Sequence, residues 1–321
     1  MRVLYGYSMT GYVIRRILAT APVLLVVSLV VFGLIRLSPG DPAALIAGHE
    51  AQEWEVEAIR EQLGLNRPLP VQLGIWFRDI FRGDLGTSIV SKHPVLDLIL
   101  QWAVPTVSLA LLTEVIAISL AIPLGVLAAW KANTWVDRSV MVFATLGFSI
   151  PVFWLGFLMI FLFAVKLGIF PAAGYVAPTE GFLPFIHRMI MPAVATGVVL
   201  MALVARMTRA TVLETLSEDY VRTARAKGLA EKAVLVRHAL RNAALPILTV
   251  IGLGVAGVLS GVVITESVFA IPGLGRLLIN SILARDYPII QGVILVVSSV
   301  YVFINLLVDL SYAYFDPRVR Y

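Results

Sequence analysis

The stretch Arg206–Pro246, RMTRATVLETLSEDYVRTARAKGLAEKAVLVRHALRNAALP, is polar and lies between two strongly apolar runs. At its centre, Ser217–Leu229 reads SEDYVRTARAKGL. Ser217 is a favoured N-cap, and Glu218 and Asp219 put negative charge in the first turn, where free amides and the helix dipole stabilise it. Arg222, Arg225 and Lys227 place positive charge toward the other end, and Gly228 supplies the left-handed residue that closes a helix, followed by apolar Leu229. A second helix is expected over Ala230–Asn242, stopped by Pro246. Connections in compact helical proteins commonly take about 2–8 residues. A helix, a glycine bend and a helix of this length suit either a segment gripped by a partner or an amphipathic hairpin lying on a membrane surface.

Outward from this segment the chain is apolar. Of 321 residues, 59% are hydrophobic and 14% charged, against about 25% charged in soluble domains, and the mean hydropathy is +0.91. The composition is that of an integral membrane protein. No cysteine is present, which excludes disulfides, thiolate metal sites and thiol nucleophiles. The net charge of +5 does not indicate nucleic acid, because the basic residues flank apolar spans and are not interleaved with stacking aromatics.

With about 20 residues needed to cross a bilayer, six spans are expected at 14–35, 104–130, 139–165, 189–207, 246–268 and 288–312. The apolar run of the first, Ile17–Ile35, follows Arg15 and Arg16 but is too long for a signal peptide and has no cleavage site, so it reads as a retained helix. An even number of spans puts both termini on one side. Arg2, Arg15, Arg16, Lys131, Arg138, the basic residues of 206–246, Arg318 and Arg320 all fall there, which the positive-inside rule makes the cytoplasm. The expected organisation is an N-terminal segment with the first span (1–35), an extracytoplasmic subdomain (36–103), a core (104–312) carrying the cytoplasmic loop 206–246, and a tail (313–321).

The subdomain opens with the turn formers Ser38-Pro39-Gly40-Asp41-Pro42. Helices are expected over Glu50–Leu63 and Leu69–Phe81, followed by a turn at Arg82-Gly83-Asp84-Leu85-Gly86. Such a subdomain either stiffens the helix ends or receives substrate. The outer segment Glu266–Pro288 is apolar, yet Pro272-Gly273 forces a turn before a short helix over Leu274–Leu283. Several spans are interrupted: Pro123 and Gly125 in the second, Ser149-Ile150-Pro151 in the third, and glycines 252, 254, 257 and 261 in the fifth. Proline kinks a helix and glycine lets backbones approach, so such helices often line something that moves, although both residues are common in membrane helices generally.

No phosphate-binding G-x-x-x-x-G-K-[ST] occurs, nor G-x-S-x-G or H-E-x-x-H, and His49, His93, His187 and His238 stand in separate segments. The chain is expected to hydrolyse nothing itself and to hold no metal. Glu114 is an ionisable group well inside a span, which marks a pathway or a packing contact. Asn305 and Asp309 share one face near the cytoplasmic end of the sixth span, where a structural hydrogen bond is expected. The pathway candidates are Glu114, Ser149, Pro151, Gly254, Gly257, Ser260 and Glu266.

The run Asp219-Tyr220-Val221-Arg222-Thr223-Ala224-Arg225-Ala226-Lys227-Gly228-Leu229, continuing through Arg237, His238-Ala239-Leu240-Arg241-Asn242 to Leu245-Pro246, resembles the cytoplasmic EAA loop of binding-protein-dependent ABC importers. Further motifs narrow the resemblance to the dipeptide, oligopeptide and nickel permease branch, B-type subunit: Pro39-Gly40-Asp41-Pro42, Leu63-Gly64-Leu65 with Arg67-Pro68-Leu69-Pro70, Gly83-Asp84-Leu85-Gly86, Pro272-Gly273-Leu274-Gly275-Arg276 and Asp316-Pro317-Arg318-Val319-Arg320. Where the general motif has Glu-Ala-Ala this chain has Arg222-Thr223-Ala224, a departure usual in that branch.

The resemblance implies an all-α type I importer transmembrane domain that is not itself an enzyme and sits in the bacterial inner membrane. It implies four kinds of neighbour: a homologous second permease subunit, two cytoplasmic ATPases carrying ATP and magnesium, an extracytoplasmic solute-binding protein and the lipid membrane, with no nucleic acid. Asp219, Tyr220, Arg222, Ala224, Arg225, Lys227, Gly228, Leu229, Arg237, His238, Arg241 and Asn242 would then couple to the ATPases, with the second helix in their groove. The substrate implied is a short peptide, with nickel chelates or glutathione as alternatives. A proton-driven secondary transporter using Glu114 is the competing reading.

Overall fold

A computed structural model describes residues 9–37, 41–48, 51–62 and 64–315. Arg2, the turn formers Ser38-Pro39-Gly40, the helix ends Glu50 and Leu63, and the Asp316–Arg320 motif lie outside these residues. Among those described, every regular element is a helix. Five helices are long and apolar enough to cross a membrane, or six if the bent pair Trp135–Ser149 and Val152–Lys166 is one broken span.

Contacts divide the chain into two units. The first comprises Pro105–Ile271 with the chain ends up to Arg15 and from Ile304; the second comprises Arg16–Val104 and Pro272–Phe303. Three long helices supply both: α1 (Met9–Leu37); α5 (Val95–Trp130), which follows the short subdomain helices α2 (Pro42–Ala47), α3 (Glu53–Gln62) and α4 (Leu69–Phe81); and α13 (Tyr287–Phe315).

The first unit continues with α6 (Trp135–Ser149), α7 (Val152–Met159, extended by a π-helical turn to Lys166) and α8 (Phe182–Leu216). Leu109, Ala117 and Ala121 of α5 pack with Met189, Leu200 and Val204 of α8 in one core. In α8, 72% of the most apolar window is buried, more than in any other candidate span, which makes it the central helix of the unit. Neighbours approach it through small residues: a Cβ on Gly125 would lie 2.6 Å from the Ala205 carbonyl, and one on Gly147 3.0 Å from Val198. In a hydrocarbon solvent this close packing takes over the role that water exclusion has elsewhere.

The third span is sharply broken. Pro151 holds Ile150 in an extended conformation (φ −91°, ψ 121°), and the two halves meet at 106°. Beyond α8 come α9 (Asp219–Ala226), α10 (Glu231–Ala233, prolonged by a π-helical turn over Val234–Leu240) and α11 (Arg241–Val268).

Two local expectations fail here. Ser217 is not an N-cap: α8 runs on to Leu216, so the Ser217 hydroxyl donates back to the Glu214 carbonyl at 2.6 Å and Glu218 takes the cap position of α9. Pro246 does not stop the second limb but lies inside α11. Proline removes one N–H from the ladder while its fixed φ stays helical, and membrane helices tolerate that loss.

In the second unit α5 begins at Val95, nine residues earlier than its apolar span. Val95 and Ile99 are buried against Leu274 and Leu277 of α12 (Leu274–Leu283) and Ile289 and Val293 of α13 (Tyr287–Phe315). The expected helices over Leu69–Phe81 and Leu274–Leu283 form with those bounds. Asp286, 2% exposed, accepts the Ser88 hydroxyl at 2.5 Å and the amides of Ile89 and Val90 at 3.2 and 3.3 Å. One carboxylate thus ties the turn before α5 to the turn before α13. In the subdomain, Asp41 caps α2 through the Ala43 amide at 3.1 Å and pairs with Arg60 of α3.

Candidate functional site

The polar loop is a corner. Helix α9 ends in a paired hydrogen-bond motif: the Leu229 amide reaches the Ala224 carbonyl at 3.3 Å and the Gly228 amide reaches Arg225 at 2.9 Å. Gly228 sits at φ +78° with nothing within 4 Å of an added Cβ, the geometry that favours glycine at this position. Across the bend, the Arg225 guanidinium holds the Glu231 carboxylate by two contacts of 2.6 and 3.2 Å. The loop is therefore closed by its own backbone and braced by a fork-shaped ion pair.

Its underside is apolar. Val221 and Ala224 of α9, with Val234, Leu235 and Ala239 of the second limb, are buried. A further tie comes from Asn242, whose amide donates to the Tyr220 hydroxyl at 2.9 Å and to the His238 carbonyl at 2.8 Å. Beside it a groove of about 640 Å³ is lined by Glu214, Glu218, Tyr220, Asn242 and Pro246. Asp219, Arg222, Lys227, Leu229, Arg237 and Arg241 face outward, Asp219 and Arg222 within 3.4 Å of each other. A basic surface with apolar Leu229 and Val236 is thus presented on a rigid corner.

Between α6 and α8 lies a pair that sequence reasoning missed. Asp137, in the first turn of α6, is 3% exposed and is gripped by Arg209 of α8 through the Nε–Nη2 edge of the guanidinium, Nε to Oδ1 and Nη2 to Oδ2 at 2.6 Å. The Asn133 amide adds a third donor at 2.9 Å. In the sequence Arg209 counts only as one more cytoplasmic charge, and nothing local announces its partner.

The pathway candidates have different surroundings. The Glu114 carboxylate oxygens are enclosed, without a hydrogen-bond partner. Ser149 donates to the Thr145 carbonyl at 3.1 Å at the end of α6, and Pro151 opens α7. Gly254 packs under Leu200, whereas Gly257 and Ser260 lie on the exposed face of α11. Glu266 is fully buried inside α11 and accepts the Thr106 hydroxyl at 2.5 Å. It lies within the fifth span expected at 246–268, near its outer end.

Comparison with known proteins fits this arrangement. The profile of the binding-protein-dependent transport system inner membrane component matches residues 121–321, and that of the N-terminal region of such membrane components matches residues 9–110. The chain belongs to this permease family. A probable peptide ABC transporter permease of Sinorhizobium fredii is 48% identical over 97% of this chain and 99% of its own. A putative peptide transport system permease of Brucella abortus is 46% identical over 98% and 100%, and the dipeptide transport system permease of Alkalihalophilus pseudofirmus is 40% identical over 98% and 100%. The chain is a multi-pass inner-membrane component with a type I importer transmembrane domain and a helical extracytoplasmic insertion after its first span.

Proposed function

We propose that this chain is one permease subunit of an ATP-driven importer of short peptides, working beside a second, homologous subunit. The observation that carries the reading is the braced corner at Gly228, whose second limb runs without interruption through the π-helical turn into α11. Force applied at the corner enters a membrane helix directly, and a rigid-body shift of that helix changes which side of the pathway is open. With no nucleotide-binding motif in the sequence, the force comes from partner ATPases bearing ATP and magnesium. The basic outward face of Arg222, Lys227, Arg237 and Arg241 is their docking surface. A solute-binding protein delivers the peptide from outside and makes most of the selection. Similarity to permeases named for peptides and dipeptides supports the substrate class.

The test is reconstitution with the partner subunits in proteoliposomes. ATP-dependent uptake of di- and tripeptides in the presence of the binding protein is expected. Uptake that persists without ATP and collapses with a protonophore would refute the reading, as would transport of nickel chelates or glutathione with none of peptides.

A further inference from the structure

Helix α6 is fixed to α8 at both of its ends. At the cytoplasmic end stands the Asp137–Arg209 fork. At the other, Gly147 meets Val198 and Ala202, and the Arg206 guanidinium lies 5.2 Å from the centre of the Phe148 ring. Asp137 also holds the preceding turn through the Asn133 amide, where Asn133 takes φ +65°. Arg209 lies about two helical turns before the end of α8 at Leu216, where the loop begins. Immediately beyond Ser149 the chain bends by 106°, and α7 packs against α11 as well as α8, with Gly156 against Val268 and Phe269 at the end of α11. Pro151 has no N–H with which to continue the α6 ladder across that bend.

Buried ion pairs seldom add net stability, because desolvation offsets the attraction; their better-attested use is to fix register. We propose that Asp137 and Arg209 are positioning residues which make α6 and the cytoplasmic half of α8 a single lever, so that movement at the Gly228 corner is delivered to the Ser149–Pro151 bend. The lever rests on the proposed coupling role of the loop. It assigns α6 a moving part and the bend the hinge, beyond which α7 is held by α11 as well as by α8.

The experiment uses the reconstituted importer and reads peptides transported per ATP hydrolysed, a ratio independent of how much complex assembles. Asp137→Asn keeps the side-chain shape and an acceptor for the Asn133 amide but removes the charge that grips Arg209. It should lower the ratio about fivefold or more, while ATP hydrolysis in the absence of binding protein is unchanged. Arg209→Lys keeps the charge without the two-point grip and should fall between the two. A wild-type ratio in Asp137→Asn overturns the proposal. If that variant fails to assemble, a wild-type ratio in Arg209→Lys overturns it equally. Gly228→Val serves as the parallel arm. Uncoupling there with none in the ion-pair variants sinks the lever and leaves the coupling loop standing; no uncoupling in any of the three sinks the loop as well.

Discussion

Replacing Gly228 separates backbone strain from loss of contacts, because nothing lies within 4 Å of the Cβ that a substitution would add. What remains is the cost of holding an L-residue at φ +78°, about 1–2 kcal/mol for alanine. Asparagine visits this region more readily and should cost less, whereas β-branched valine should cost more. Opposing the strain are the hydrogen bonds of Gly228 to Arg225 and Leu229 to Ala224, and the Arg225–Glu231 brace. The brace is more than a third exposed on both sides, and such pairs contribute about 0.2–1 kcal/mol, too little to offset the strain in full. A 1–2 kcal/mol shift multiplies the open population roughly 5–30-fold. Hydrogen exchange at residue 228 and Leu229 should accelerate in the order Gly, Asn, Ala, Val, and peptides transported per ATP should fall in the same order. Equal effects for Asn and Val, or wild-type protection in Val, would refute the strain argument.

In the second unit, Asp286→Ala leaves the buried Ser88 hydroxyl without its acceptor, a loss of about 1–3 kcal/mol. Faster exchange over 86–94 with the coupling ratio intact is the expected result, and unchanged exchange would show that the tie is dispensable. In the subdomain, burial would raise the Asp41 carboxyl, but the Arg60 hydrogen bond and the Ala43 amide outweigh it and hold the group below its ordinary 3.8. Because the folded value is the lower one, the associated stability is present above pH 3.8 and is lost as pH falls through the folded value. Protection of α2 amides should therefore be flat from pH 7 to 5 and decline below about 4. Asp41→Asn should remove that acid limb, and an identical limb in the variant would exclude Asp41 as its source.

The corner at Gly228 was legible because its signals are local: charges sorted along one short helix, then a glycine and an apolar residue. The same locality misled at Ser217 and Pro246. Both are sound boundary residues in isolation, but α8 and α11 extend past the apolar spans that hydropathy detects, so the polar stretch shares its ends with membrane helices. The early start of α5 at Val95 has a similar origin, since its first turns are stabilised by Leu274, Leu277 and Ile289, far away in sequence. The Asp137–Arg209 pair was illegible for another reason. Its members are 72 residues apart, and no periodicity relates them. Ser149-Ile150-Pro151 announced a break, but not its angle, which depends on what each half packs against.

The burial of α8 carries a lesson about what hydropathy measures. Its mean hydropathy is 1.9, the lowest of the five unbroken spans, although it is the most enclosed; α13, at 2.3, has only 11% of its window buried. For this chain lipid is the stricter solvent. A side chain facing acyl tails has no hydrogen-bonding neighbour to turn to, whereas one facing protein does, so Thr196 can sit at the centre bonded to Thr265 at 2.7 Å. Within the first unit an apolarity profile therefore marks the outward faces, and the least oily of its membrane helices is the one at its centre.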